Sequence, residues 1–293
     1  MSKIDATEIL KKVRKIEIKT KELSKHLFSG EYSSTFKGRG MSFSEVRDYQ
    51  YGDDVRNIDW NVTARTGSPH IKVFEEEREL TVMFLVDMSK SSFFGTQNQF
   101  KSEINTEICA TLAFSALTNN DKVGAILFTD EVEKYIPPKK GRKHILRIIR
   151  ELIYFEPKGT ETNISEALVY LNNIIKKRSI AFVLSDFNSD NYDSPINIAA
   201  RRHDIIGIKV YDDLEKELPN VGLVQTKDLE TGREQIIDTS SSKMRASYAQ
   251  HFKQRHHYFY NTFKKSGSDI LIVNTKEDYV KNLLKFFKSR HKK

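Results

Sequence analysis

Residues 81–91 read Thr81-Val82-Met83-Phe84-Leu85-Val86-Asp87-Met88-Ser89-Lys90-Ser91. An apolar run of strand length here ends in a carboxylate and two hydroxyls at alternate positions. Such a run, bounded by polar residues, has the signature of a strand buried on both faces. In the turn that follows it, Asp-x-Ser-x-Ser can point three oxygens at one centre. A hard divalent cation takes oxygen ligands of this kind and keeps several waters.

The pattern downstream supplies the rest of a sheet. Ile108, Leu112 and Ala116 recur at four-residue spacing and predict a helix over 105–117, and residues 122–128 read as a second strand. Residues 131–136 alternate as an edge strand does, and Pro137-Pro138 is expected to stop it. Helices are expected over 142–155, 164–175 and 196–202, with strands over 179–185 and 204–210. Beyond Asp212 come a hairpin (221–226 with 235–238), a long helix ending before Gly267, a strand over 270–273 and a helix from Asp278. Alternation of this kind predicts an α/β domain, an open and mostly parallel sheet with helices on both faces. Ligands then collect at the carboxyl ends of the strands. Two further groups are expected on that edge: a hydroxyl from Gly159-Thr160-Glu161-Thr162-Asn163, and the carboxylate of Asp186.

The composition is that of a globular chain: 293 residues, 38% hydrophobic, 30% charged, with a single Cys that permits no internal disulfide. No run of about 18 apolar residues exists, so no membrane span is expected. Residues 1–28 intersperse basic and apolar side chains and predict an amphipathic helix instead of a secretory signal; a cytoplasmic location is expected. Residues 29–40 read as a loop. Residues 41–79 are dense in Arg, Asp and Tyr, carry the only Trp, and follow neither simple period. Their acids and bases suit a bracing ion-pair network or a recognition surface, and the candidate contact residues are Arg47, Asp53, Arg56, Asp59, Trp60 and Arg65.

Residues 239–268 and 281–293 each hold six Lys or Arg and no acid, so they carry +12 of a chain total of +8 and leave −4 for the remainder. This basic excess offers an alternative function, binding of nucleic acid or an anionic surface, with Tyr258, Phe259, Tyr260 and Phe263 as stacking groups. Packing of an amphipathic helix produces the same interleaving, and nucleic acid is not the expected partner. His251, His256 and His257 read as surface residues and Cys109 as core. The chain has no P-loop, nucleophile elbow or His-Glu-x-x-His, so no enzymatic activity is expected.

The strand-end oxygens together resemble the metal-ion-dependent adhesion site of the von Willebrand factor type A-like fold. The matching positions are Asp87, Ser89, Ser91, Thr162 and Asp186. Thr162 is preferred to Thr160 because Thr162-Asn163-Ile164-Ser165-Glu166-Ala167-Leu168 resembles the Thr-x-x-x-x-Ala-Leu run of that fold. Upstream, Gly38-Arg39-Gly40, Phe43-Ser44-Glu45-Val46-Arg47-Asp48-Tyr49, Tyr51-Gly52-Asp53-Asp54-Val55-Arg56-Asn57-Ile58-Asp59-Trp60 and Thr63-Ala64-Arg65 resemble the signature of the bacterial domain-of-unknown-function family 58. The resemblance implies Mg²⁺, or another divalent cation such as Mn²⁺ or Ca²⁺, and a protein partner, a MoxR-type AAA+ ATPase. Three parts are expected: the amphipathic helix 1–28, a signature segment 29–79 packed on the main domain, and an α/β domain 80–293 with basic C-terminal helices. Ser92 stands where that family tends to have Met, and residues 1–28 stand where many relatives carry membrane helices.

Overall fold

The structure, a computed structural model, describes residue 14 and residues 42–75, 80–95, 100–227 and 234–291. The helix expected over 1–28, residue 14 apart, and the loop over 29–40 lie outside the described residues. The chain divides into two compact units, Phe36–Leu80 and the remainder.

The small unit is more regular than its sequence suggests. Strands β1 (Ser42–Asp48) and β2 (His70–Glu75) pair antiparallel, joined through a single 3₁₀ turn (Val55–Asn57) and helix α1 (Trp60–Thr66). Elements of three to seven residues are too short for periodicity to reveal them. Caps hold them instead: Asp54 accepts from Arg56 N, and Asp59 accepts from Asn61 N and Val62 N at the start of α1. Gly67, at φ 78°, closes that helix in the left-handed region.

The large unit contains strands β3 (Thr81–Asp87), β4 (Lys122–Phe128), β5 (Val132–Lys139), β6 (Ile180–Ser185), β7 (Asp204–Tyr211) and β10 (Asp269–Asn274) in one six-stranded sheet. The spatial order is β10-β7-β6-β3-β4-β5, and all neighbours are parallel except β4 and β5. The chain runs outward from β3 to the β5 edge, then returns to lay β6 on the other side of β3. Strand order therefore reverses between β3 and β6, the place where open sheets bind ligands.

Helices α2 (Lys101–Thr118), α3 (Arg142–Tyr154) and α8 (Tyr279–His291) cover one face. Helices α4 (Ile164–Ile174), α5 (Asp193–Arg202) and α7 (Ser242–Lys265) cover the other, where Met83 and Leu85 meet Leu168, Leu171, Phe259 and Phe263. A short helix, α6 (Asp213–Lys216), follows β7, and strands β8 (Leu223–Lys227) and β9 (Glu234–Asp238) form the hairpin. Coverage on both faces explains why β3 and β6 read as continuous apolar runs. Cys109 is 1% exposed in the core, as expected.

One strand boundary departs from expectation. Pro137 and Pro138 do not stop β5, which runs through both to Lys139. β5 is the sheet edge, where a residue lacking N–H loses no ladder bond on its open side. The register shifts opposite Gly124, where a Cβ would stand 2.9 Å from Ile136 O and Pro138 N. Glycine on the neighbouring strand thus makes room for the prolines.

Candidate metal centre

Asp87 closes β3, and the loop after it folds back on its carboxylate. Ser89 N donates to Asp87 Oδ1 at 2.9 Å, and Ser92 Oγ donates to Asp87 O at 3.0 Å. Ser92 is therefore a loop brace. Ser89 precedes a 3₁₀ turn (Lys90–Phe93) without capping it; its Oγ lies 3.0 Å from Ser91 Oγ instead.

The second loop reaches Asp87 through Thr162, whose Oγ1 lies 3.2 Å from Asp87 Oδ2 and 3.4 Å from Oδ1. Asn163 N donates to Thr129 O at 2.7 Å, and Gly159 N donates to Glu133 Oε1 at 3.0 Å, which anchors this loop to the β4–β5 turn. A Cβ at Gly159 would stand 2.3 Å from Thr129 Oγ1 and 2.9 Å from Thr129 Cβ, so glycine allows the close approach.

The third loop leaves β6 with Ser185 and Asp186. Ser185 Oγ donates to Asp87 Oδ2 at 2.6 Å and accepts from Phe187 N at 3.0 Å. Asp186 accepts from Asn188 N at 3.1 Å, and a hydrogen bond joins it to the Ser91 side chain. Phe187 holds φ 53°, uncommon for a residue with a side chain. Its ring, fully buried, is gripped by Phe259 and Phe263 at centroid distances of 4.2 and 5.3 Å.

All five residues expected from sequence thus form one connected group: Asp87 with Ser89 and Thr162, Ser89 with Ser91, Ser91 with Asp186. Ser185 and Lys101 were not among them. The Ser185 signal was its place beside Asp186 at the strand end. Lys101 had no local signal: it starts α2 and contacts Asp186 across 85 residues of chain.

Electrostatics separates the two carboxylates. Burial, then the charge of Asp186, pushes Asp87 up to about 6, although hydrogen bonds from Ser185 and Ser89 oppose the rise. Burial would also raise Asp186, but Lys101, with Nζ 2.8 Å from Oδ2, holds it down at about 2. Lys101 also donates to Glu215 Oε1 at 2.5 Å. Burial works against the ammonium, yet these two carboxylates outweigh it and raise its pKa. Lys101 thus keeps Asp186 ionised, whereas Asp87 has no ammonium beside it among the described residues.

Among the described residues no three or more His, Cys, Asp or Glu gather in a metal-binding group. The candidate donors are two carboxylates and three hydroxyls, a hard-oxygen set of the kind Mg²⁺ takes.

The other candidate residues belong to the small unit. Arg47 pairs bidentately with Asp53 at 2.8 Å for both bonds, and Arg56 pairs with Asp54. Asp59 caps α1, with Lys72 Nζ 3.6 Å away. Trp60 is 70% exposed, and Arg65 is exposed in the last turn of α1. On α7, Phe259 and Phe263 are core residues, and Tyr258 donates to Asp193. Of the four proposed stacking groups, Tyr260 alone counts as an exposed ring. His256 is half-buried and not a surface residue: it stacks on Phe252, and burial lowers its pKa.

Comparison with known proteins agrees with the signature. A family model described as protein of unknown function DUF58 matches residues 45–258. The uncharacterized protein Rv1480 of Mycobacterium tuberculosis is 30% identical over 99% of this chain and 92% of its own length. The uncharacterized protein YeaD of Bacillus subtilis is 31% identical over 37% of this chain and 25% of its own. Among solved structures, BatB from Bacteroides thetaiotaomicron aligns with TM-score 0.48 at 15% identity, over 73% of this chain and all of that one. The SpRpn10 VWA domain aligns with TM-score 0.38 at 12% identity, over 71% and 94%.

Proposed function

We propose that this chain, which belongs to the DUF58 family, is a non-enzymatic protein-interaction module whose binding depends on a divalent cation. The observation that carries the reading is the connected set of oxygens from Asp87, Ser89, Ser91, Thr162 and Asp186 at the sheet's switch point. A buried carboxylate with its pKa raised toward 6 is a site that a cation would stabilise. Asp87 and Asp186 would supply the charge and the hydroxyls neutral oxygens. Mg²⁺, or alternatively Mn²⁺ or Ca²⁺, supplies a positive centre with coordination positions left to solvent or a partner's carboxylate.

The resemblance to the adhesion-site fold supports an acidic side chain as the incoming group, and the family resemblance supports a MoxR-type AAA+ ATPase as its bearer. Trp60, Arg56 and Arg65 are the second candidate contact, a Trp and Arg surface of the kind that anchors interfaces. No helix among the described residues is long and apolar enough to cross a membrane.

The non-enzymatic reading rests on the absence of an activated nucleophile beside these oxygens among the described residues. The Ser179 and His203 side chains do meet, at 2.9 Å. They are 3% and 1% exposed and sit at the amino ends of β6 and β7, away from the metal loops.

The test is binding of the ATPase in Mg²⁺ and in chelator, for wild type, Asp87→Ala and Ser89→Ala. Binding at full strength in chelator rules out the cation-dependent interface. Calorimetry with Mg²⁺ alone decides the metal: indistinguishable titrations of wild type and Asp87→Ala remove it.

A further inference from the structure

Beside the metal loops, the carboxyl ends of β6 and β7 and the helices α6 and α7 enclose a cleft of about 210 Å³. That exceeds the ~10–15 Å³ one water needs and falls short of the ~300 Å³ at which drug-sized pockets begin. It is a space for a small ligand.

Lys209, 2% exposed on β7, lines the cleft. Its ammonium lies 5.4 Å from the Phe252 ring centroid and 5.9 Å from that of Phe259. Among the described residues it has no hydrogen bond or ion pair. Asp186 and Glu215 also border the cleft, but both are bonded to Lys101. Arg255, at the same wall, is committed to Asp190. Two buried lysines therefore face two carboxylates, and one lysine holds both. Burial lowers Lys209 to about 8, although the charges of Asp186 and Glu215 oppose the fall.

We propose that this cleft binds a small organic monocarboxylate, its carboxylate on the Lys209 ammonium beside Asn188 and its apolar body against Tyr248 and Phe252. The aromatic walls favour an apolar body, and the single buried ammonium favours one charge. A phosphate dianion fits less well: Arg255 is already paired, and Asp186 and Glu215, which share one ammonium, would repel a second negative charge. The site is distinct from the metal ligands apart from Asp186, whose charge borders both.

The test uses the full chain with benzoate, its uncharged isostere benzamide, and inorganic phosphate. Benzoate should raise the melting temperature and bind in roughly the millimolar range or better, with benzamide and phosphate at least tenfold weaker. Amide NMR shifts should centre on Lys209, Asn188 and Tyr248. Lys209→Met should weaken benzoate at least tenfold while melting at or above wild type in buffer, because a buried charge has been removed. If that variant does not fold, shift mapping on wild type alone decides. The proposal is overturned by no benzoate effect at about 10 mM, by an equal response to benzamide, by shifts remote from β7 and α7, or by unchanged binding in Lys209→Met.

Discussion

Lys101 Nζ lies 2.8 Å from Asp186 Oδ2, so a buried ammonium occupies one side of a carboxylate in the candidate metal centre. The lysine is 1% exposed and bridges Asp186 to Glu215, joining the β6 loop to α6. Lys101 thus makes Asp186 a carboxylate that stays ionised without a metal, and it adds a positive charge that any incoming cation must meet.

Replacing Lys101 with Met should separate those two effects. The metal-free protein loses about 3–5 kcal/mol, the cost of leaving buried carboxylates without their counterion. Mg²⁺ affinity rises by roughly tenfold or more, because a unit charge a few ångströms away no longer opposes the ion. Melting curves with and without Mg²⁺ read both. An identical Mg²⁺-induced shift in variant and wild type would show that Lys101 and the ion do not interact.

Asp87→Asn should trade stability for metal response. A folded-state pKa of about 6 against an ordinary 3.8 means that the ionised carboxylate opposes folding above pH 6 and ceases to do so as pH falls toward 3.8. In chelator at pH 7.5 the variant should be as stable as wild type or up to about 3 kcal/mol more so. Its Mg²⁺-induced stabilisation should vanish. A variant that melts lower in chelator yet retains the Mg²⁺ response overturns the prediction twice.

His203 provides the acid-side test. Burial, then Arg202 and Arg178, lowers its pKa to about 4 from 6.5. Between those values the unfolded chain binds a proton that the folded one does not, so stability falls as pH drops from 6.5 to 4 and levels off below. The loss is of order 3 kcal/mol in full. Asp87 contributes with the opposite sign over part of the same range, so the measurement is a difference: denaturant unfolding of wild type against His203→Gln, from pH 7 to pH 4. Parallel curves would show that His203 is not held neutral.

Gly124→Ala should cost about 1–3 kcal/mol, as overpacking does. Its Cβ would meet the backbone of Ile136 and Pro138 at 2.9 Å and the Met83 sulfur at 2.8 Å, and backbone at a diproline cannot give way as a flexible side chain can. Equilibrium unfolding measures it; an unchanged midpoint would mean that β5 shifts freely along the edge.

The sequence by itself determined the α/β order and placed the candidate oxygens at the strand ends. A strand covered on both faces must be apolar throughout, so residues 81–86 and 180–184 announced themselves, and the polar residues that ended them had to stand at the strand ends. The Asp-x-Ser-x-Ser turn was legible for the same local reason. The tertiary structure decided what periodicity cannot encode. The caps that build the small unit are single hydrogen bonds within elements of a few residues. β5 runs through its prolines because Gly124 stands on the neighbouring strand and β5 is the edge of the six-stranded sheet among the described residues. The pairing of Lys101 with Asp186 joins residues 85 positions apart, and Lys209 has no ion pair among the described residues because Lys101 holds both carboxylates. Charge balance in a buried cluster is set by distances between side chains from different elements, and only the folded chain contains those distances.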